Sequence, residues 1–234
     1  MSAISRNLQA VKNNISVSAH ESAREPAAVK LLAVSKTCNA QAVLEAALAG
    51  QFAFGENYEQ EAIAKIAALR AERPDLALEW HFIGPIQSNK TRPIAENFDW
   101  VHTIDREKIA RRLSDQRPAN RPPLNVCLQI NISGEDSKSG VLPEQAAELA
   151  RKVAAMPHLR LRGLMAIPEP EEDPEKQRLP YRRMRQLFDE LREQGLEMDT
   201  LSMGMTADMA AAIAEGATIV RVGTAIFGSR DYAK

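Results

Sequence analysis

Lys36 stands at the far end of a short apolar run, Leu31-Leu32-Ala33-Val34-Ser35-Lys36-Thr37. Burying an ammonium is costly unless it is paired or loses its proton, so a lysine there either reaches water or works as a nucleophilic amine. Two further stretches suit an anion. Ser202-Met203-Gly204-Met205-Thr206 offers a hydroxyl, a small residue and free amides ahead of an alanine-rich helix, and Gly223-Thr224 permits close backbone approach. Arg221 interrupts the apolar run Ile219-Val220-Arg221-Val222. A buried guanidinium needs a hydrogen-bonding partner, which here is either a ligand ring nitrogen or oxyanion, or an interior carboxylate such as Glu56 or Asp105.

The composition sets the limits within which these groups act. With 234 residues, 44% hydrophobic and 26% charged, the chain is long enough for one large core, and a single domain over 1–234 suits the pattern below. Thirty basic and 31 acidic residues leave a net charge of -1, which recommends no nucleic acid as a partner. Cys38 and Cys127 sit in no metal or redox spacing, which fits a reducing cytoplasm. The four histidines share no ligand spacing, so no metal is expected, and His81 and His102 read as satisfied within or beside strands. Residues 1–25 carry Ile4, Leu8, Val11 and Ile15 at helical spacing rather than the continuous apolar segment of a signal peptide. No stretch is long enough to cross a bilayer, and no membrane partner is expected.

Eight strand signals alternate with helices. The runs end near Lys36, Asn57, Gly84, Asp105, Ile132, Ile167, Gly204 and Phe227. Asn39 reads as the cap of helix 40–49 and Asp105 as the cap of helix 106–116. The acidic, proline-rich stretch from Pro168 reads as a long loop before a charged helix over 181–194. This is the pattern of a (β/α)8 TIM barrel with an N-terminal helix covering the last gap in the ring. An open doubly wound sheet is the competing fold, but no Gly-x-Gly-x-x-Gly turn follows the first strand.

In such a barrel the strand carboxyl ends share one mouth, with phosphate sites after the seventh and eighth strands. An amine facing a phosphate cradle across that mouth suggests an aldehyde phosphate held as a Schiff base, and pyridoxal 5'-phosphate satisfies both ends, with Met165 as a packing face. Lys138, flanked by serines in the loop 133–140, is a second amine. It is read as a recipient of the aldehyde during handover, as a phosphate-attracting cation, or as an ordinary solvated lysine.

Several motifs carry a resemblance to a known family. Ala33-Val34-Ser35-Lys36-Thr37, Phe54-Gly55-Glu56-Asn57-Tyr58, the run from Trp80 through His81, Gly84 and Gln87 to Lys90, Ser137-Lys138-Ser139-Gly140, Leu161-Arg162-Gly163-Leu164-Met165-Ala166-Ile167, Leu201-Ser202-Met203-Gly204-Met205 and Arg221-Val222-Gly223-Thr224-Ala225-Ile226-Phe227-Gly228 are similar to motifs of the pyridoxal phosphate homeostasis proteins, relatives of the barrel of alanine racemase. The resemblance implies a fold-type III barrel with the cofactor on Lys36. It implies phosphate contacts from Ser202, Gly223 and Thr224, Arg221 near the pyridine nitrogen, Asn57 and Met165 lining the ring, and Met203 within the same cofactor-binding set.

A guanidinium beside the pyridine nitrogen disfavours its protonation and weakens the ring as an electron sink. Racemases of this type bring a tyrosine base from a second domain, whereas Tyr58, Tyr181 and Tyr232 hold no obvious position for one. The expectation is therefore a monomeric, non-catalytic carrier that serves vitamin B6 homeostasis and has cofactor-dependent apo-enzymes as candidate recipients. A minimal amino-acid racemase and an aldolase-like lyase on the same fold are the enzymatic rivals.

Overall fold

The structure is a computed structural model, and it describes residues 2–134 and 139–228. Eight parallel strands, β1 (Lys30–Val34), β2 (Ala53–Glu56), β3 (Glu79–Phe82), β4 (Trp100–Ile104), β5 (Leu124–Gln129), β6 (Leu159–Met165), β7 (Thr200–Ser202) and β8 (Ile219–Val222), close into a barrel in chain order. The ring closes where β1 pairs with β8, placing Leu32 opposite Arg221 and Ala33 opposite Val222. Helices α1 (Ala3–Glu21), α2 (Ala40–Leu48), α3 (Glu59–Glu72), α4 (Thr91–Asn97), α5 (Glu107–Gln116), α6 (Pro143–Ala154), α7 (Pro174–Glu193), α8 (Met209–Ala214) and α9 (Thr224–Phe227) accompany the strands. The TIM-barrel expectation holds.

The strands are mostly buried because each face has a separate apolar partner. Ala33, Phe54, Trp80, Phe82, Val101, Val126, Leu128, Leu164 and Val220 pack outward into one continuous core with the helices. Leu32, Ala53 and Ile219 pack inward, and so do Trp100, Cys127 and Met165. Helix α1 buries Leu8, Val11 and Ile15, a stripe at helical spacing, and packs beside α8 and α9 at the β8–β1 closure. Burial of each such side chain contributes about 1.5–3 kcal/mol. Asn7 Nδ2 donates to the Ile226 carbonyl and Lys12 Nζ to the Gly50 carbonyl, which pin the helix over the seam.

Three boundaries differ from the sequence reading. The eighth strand stops at Val222, and Thr224–Phe227 turns into α9, because the chain leaves the sheet at Gly223. Helix α7 starts at Pro174, where Asp173 caps it by accepting from the amides of Glu175 and Lys176, so the preceding loop is shorter than its composition suggests. Asp105 does not cap α5: its carboxylate accepts from Arg106 NH1 instead, and the N-cap position falls to Arg106 with no side-chain bond. Asn39 does cap α2, accepting from the Ala42 amide at 2.9 Å.

Candidate functional site

Lys36 follows β1 directly, half-buried at the carboxyl end of the barrel. The turn that carries it is fixed from outside the ring. Lys65 of α3 is buried and donates to the Ser35 carbonyl at 2.8 Å and to Glu56 Oε1 at 2.7 Å, while Ser35 Oγ donates to the same carboxylate oxygen at 2.6 Å. Glu61, one helical turn before Lys65, accepts from Lys65 and from the amide of Thr37. Thr37 has φ 65°, a left-handed conformation that a non-glycine residue holds only when its surroundings demand it. Burial pushes the Glu56 carboxyl up against the pull of Lys65 and Ser35, and Glu56 Oε2 has no hydrogen-bond partner among the described residues. Among the described residues Lys36 Nζ has no hydrogen-bond or ion-pair partner.

Asn57, just past β2, is half-buried, and its Oδ1 is a buried acceptor with no partner among the described residues. Such an atom costs about 1–3 kcal/mol while unpaired, and a ligand donor would remove that cost. Its backbone is pinned by Gly84, where a Cβ would lie 2.2 Å from the Asn57 carbonyl oxygen, a separation no real side chain tolerates. Thr103 Oγ1 donates to the Gly84 carbonyl at 2.7 Å and extends the brace to β4.

Arg221 points into the barrel, as strand alternation requires. Neither interior carboxylate considered from sequence meets it: Glu56 lies on the outer face with Lys65, and Asp105 pairs with Arg106. Instead Arg221 NH1 donates to Ser202 Oγ and NH2 to the Ala166 carbonyl, each at 2.9 Å. Two of the five guanidinium N–H groups are thus engaged, and burial lowers the pKa while the group remains a cation. Ser202 Oγ is also 2.8 Å from His102 Nδ1, so this fully buried hydroxyl is held between a guanidinium and an imidazole. His102 Nε2 lies 2.8 Å from His81 Nδ1, and His81 Nε2 lies 2.5 Å from Glu79 Oε1, which Lys30 also contacts.

Beyond β7, Met203 is buried in the outer core, so only its backbone faces the 203–206 loop, while Met205 and Thr206 are exposed. The loop is tied by the Met205 amide, which donates to Asp208 Oδ1 at 2.6 Å. Tyr181 Oη in turn donates to Asp208 Oδ2 at 2.5 Å, and burial followed by the Asp208 charge raises the Tyr181 pKa. Gly223 and the exposed Thr224 begin α9 one strand away. Met165 is buried inside the barrel with Trp100 and Cys127, and burial pushes the Cys127 thiol up to about 12.

Lys36, Asn57, Ser202, Arg221, Gly223 and Thr224 therefore gather at the ends of β1, β2, β7 and β8, all at one end of one barrel. Lys138 lies outside the described residues. A cavity of about 710 Å³ opens among Arg160, Arg162, Arg192 and Asp199 at the strand-start end, away from this cluster. There Arg162 is satisfied by Asp199 and Asn125. Sequence reasoning missed Lys65, Asp208 and Glu79. Glu61 and Lys65 at i,i+4 and Lys30, Glu79 and His81 in inward-facing register were the available signals.

A family model described as "Alanine racemase, N-terminal domain" matches residues 6–231. The pyridoxal phosphate homeostasis protein of Pseudomonas aeruginosa is 59% identical over 99% of this chain and 98% of its own. The protein of the same name from Escherichia coli K12 is 56% identical over the full length of both. PipY of Synechococcus elongatus, solved without PLP, superposes with a TM-score of 0.83 at 36% identity, over 96% of this chain and all of PipY. The form solved with PLP bound gives a TM-score of 0.81 at 35% identity over the same shares. By sequence and by fold, the chain belongs to the alanine racemase N-terminal domain family and, within it, to the pyridoxal phosphate homeostasis proteins.

Proposed function

We propose that this barrel binds pyridoxal 5'-phosphate as a Schiff base on Lys36 and acts in intracellular cofactor homeostasis without catalytic turnover. The observation that carries the reading is the meeting, at one barrel end, of an amine free of partners among the described residues, a buried acceptor without a donor at Asn57 Oδ1, and a cationic Arg221 with N–H groups to spare. When bound, the cofactor supplies an electrophilic aldehyde to an amine and a dianionic phosphate to a cradle.

The chain's own residues divide the work. The Lys65–Glu56–Glu61 network holds the Lys36 turn. The 203–206 loop, braced by Asp208, and the Gly223-Thr224 turn offer amides and hydroxyls to the phosphate. Asn57, Arg221 and Met165 would line the ring. Ser202 supports the site through Arg221, since its hydroxyl already contacts Arg221 and His102. A guanidinium at Arg221 would disfavour protonation of the ring nitrogen, which suits storage better than carbanion chemistry. Tyr181 is unsuited to serve as a base near neutral pH, because its raised pKa keeps the phenol protonated and its hydroxyl is committed to Asp208. The relatives' name supports the homeostasis part of this reading, to which we add delivery to cofactor-dependent apo-enzymes by a monomeric carrier in the cytoplasm.

The deciding measurement is the visible spectrum with added pyridoxal phosphate, for the parent and for Lys36→Ala. We expect an imine band that Lys36→Ala abolishes while far-ultraviolet circular dichroism is unchanged. A band that survives the substitution rejects the Lys36 linkage. Net racemisation of L-alanine by the parent, followed on a chiral column, rejects the non-catalytic assignment.

A further inference from the structure

A line of polar side chains runs through the barrel from its strand-start end to Arg221: Lys30, Glu79, His81, His102, Ser202, Arg221. Lys30 and Glu79 are partly exposed, with side chains 43% and 36% accessible, whereas the two histidines and Ser202 are fully buried. Trp100 stacks on His81 with ring centroids 5.3 Å apart and planes 7° from parallel, which leaves only the ring edge for polar contacts.

The two ends of this line dictate its direction. Arg221 is an obligate donor, so Ser202 Oγ accepts from it. At the other end Glu79 is an acceptor: burial alone would raise its carboxyl, but the hydrogen bonds from His81 and Lys30 and the charge of Lys30 hold it low, so it is an ionised carboxylate. His81 Nε2 must therefore carry a proton toward Glu79. Complete burial lowers the pKa of both imidazoles: on His81 it outweighs the hydrogen bond and charge of Glu79 and the charge of Asp99, with Lys30 acting alongside burial, and on His102 the charges of Arg221 and Lys30 add to it, so both rings are neutral. A neutral His81 protonated at Nε2 has a bare Nδ1, which requires His102 to donate from Nε2. His102 then has a bare Nδ1 and must take the proton of Ser202.

We propose that Glu79, His81 and His102 are positioning residues for Arg221. They form a one-way hydrogen-bond chain in which the carboxylate directs the Ser202 proton inward, so that Ser202 presents only lone pairs to the guanidinium. Two consequences follow. In the cofactor-free barrel the Ser202 proton is committed to His102, and among the described residues Thr206 and Thr224 are exposed hydroxyls beside the proposed anion site. The orientation of Arg221, set by Ser202 Oγ and the Ala166 carbonyl, answers to a carboxylate at the opposite end of the barrel.

The link to Arg221's task rests on the cofactor reading above, so the test has one arm that needs no cofactor. Nitrogen-15 NMR of the cofactor-free protein, labelled at histidine, reads each ring's tautomer near neutral pH. Both His81 and His102 are expected with protonated Nε2 and bare Nδ1. Either ring protonated at Nδ1 overturns the proposal, and this result is read on the parent protein alone. In Glu79→Leu the His81 proton loses its acceptor, and a mixture of tautomers is expected at His102, whereas Glu79→Gln retains an acceptor and the parent pattern. An unchanged pattern in folded Glu79→Leu also overturns it.

In the second arm, pyridoxal phosphate affinity is expected to fall about tenfold in Glu79→Leu with the Lys36-dependent imine band still formed. An affinity equal to that of the parent rejects the positioning role. A parent protein that takes up no pyridoxal phosphate defeats the cofactor reading and leaves the tautomer result to decide the chain on its own.

Discussion

Two buried polar networks flank the wall of this barrel, and they are stabilised in different ways. Outside, between β2 and α3, Lys65 and Glu56 are a true ion pair at 2.7 Å with side chains 3% and 0% exposed. Inside, Arg221 touches neutral acceptors only, and its nearest chain of contacts reaches a carboxylate after Ser202, His102 and His81. The outer network relies on Coulomb attraction to offset the desolvation of two full charges. The inner one relies on donor and acceptor direction, which costs less to bury but has only one consistent arrangement. Both serve the same end of the barrel, the first under Lys36 and the second under Arg221.

That contrast can be broken at its strongest point first. Lys65→Met leaves Glu56 buried without its cation, and a loss of about 3–5 kcal/mol is expected from urea unfolding. A loss below about 1 kcal/mol, within the range of an exposed pair, would mean that water reaches Glu56 and that the outer network is not dry. The double variant Lys65→Met with Glu56→Gln is expected to recover part of the loss, since the uncompensated charge is gone.

The inner network has a pH signature of moderate size. The folded pKa of each histidine is depressed by burial, while an unfolded histidine titrates near 6.5. As pH falls through that value the unfolded chain takes up protons that the folded chain refuses, so stability present above about 6.5 declines on acidification. The melting temperature is expected to drop between about pH 7.5 and 5.5, and the drop should shrink in His102→Gln. An identical slope in the variant would place the proton uptake elsewhere.

The smallest effect is expected at the solvent end of the inner chain. Lys30→Met removes one partner of a half-exposed pair with Glu79, and about 1 kcal/mol or less should be lost in the same unfolding measurement. A larger loss would show that the charge of Lys30 is felt well inside the barrel.

What the sequence disclosed follows the same divide between local and distant interactions. Strands such as Trp100–Ile104, buried along their whole length, announced themselves by runs of apolar and β-branched residues, interrupted there by His102 alone. The Asn39 cap was legible because cap and amide lie three residues apart. Lys36 and Arg221 stood out because a charge in an apolar run is costly. The partners of Arg221 were hidden because they lie 19 and 55 residues away, and the bond from His102 to Ser202 spans 100 residues. His81 and His102 read as satisfied side chains, and so they are, but what satisfies them is set by the closure of the ring. Val222-Gly223-Thr224-Ala225-Ile226 misled for the opposite reason: its β-branched residues continue a strand pattern across the point where the sheet ends.

The contact between Gly84 and Asn57 constrains movement as well as sequence. With no space for even a methyl group between them, the tips of β2 and β3 cannot slide past each other, and Thr103 adds a third strand to the clamp. Whatever breathing accompanies ligand entry and exit, this sector of the rim is expected to travel as one body.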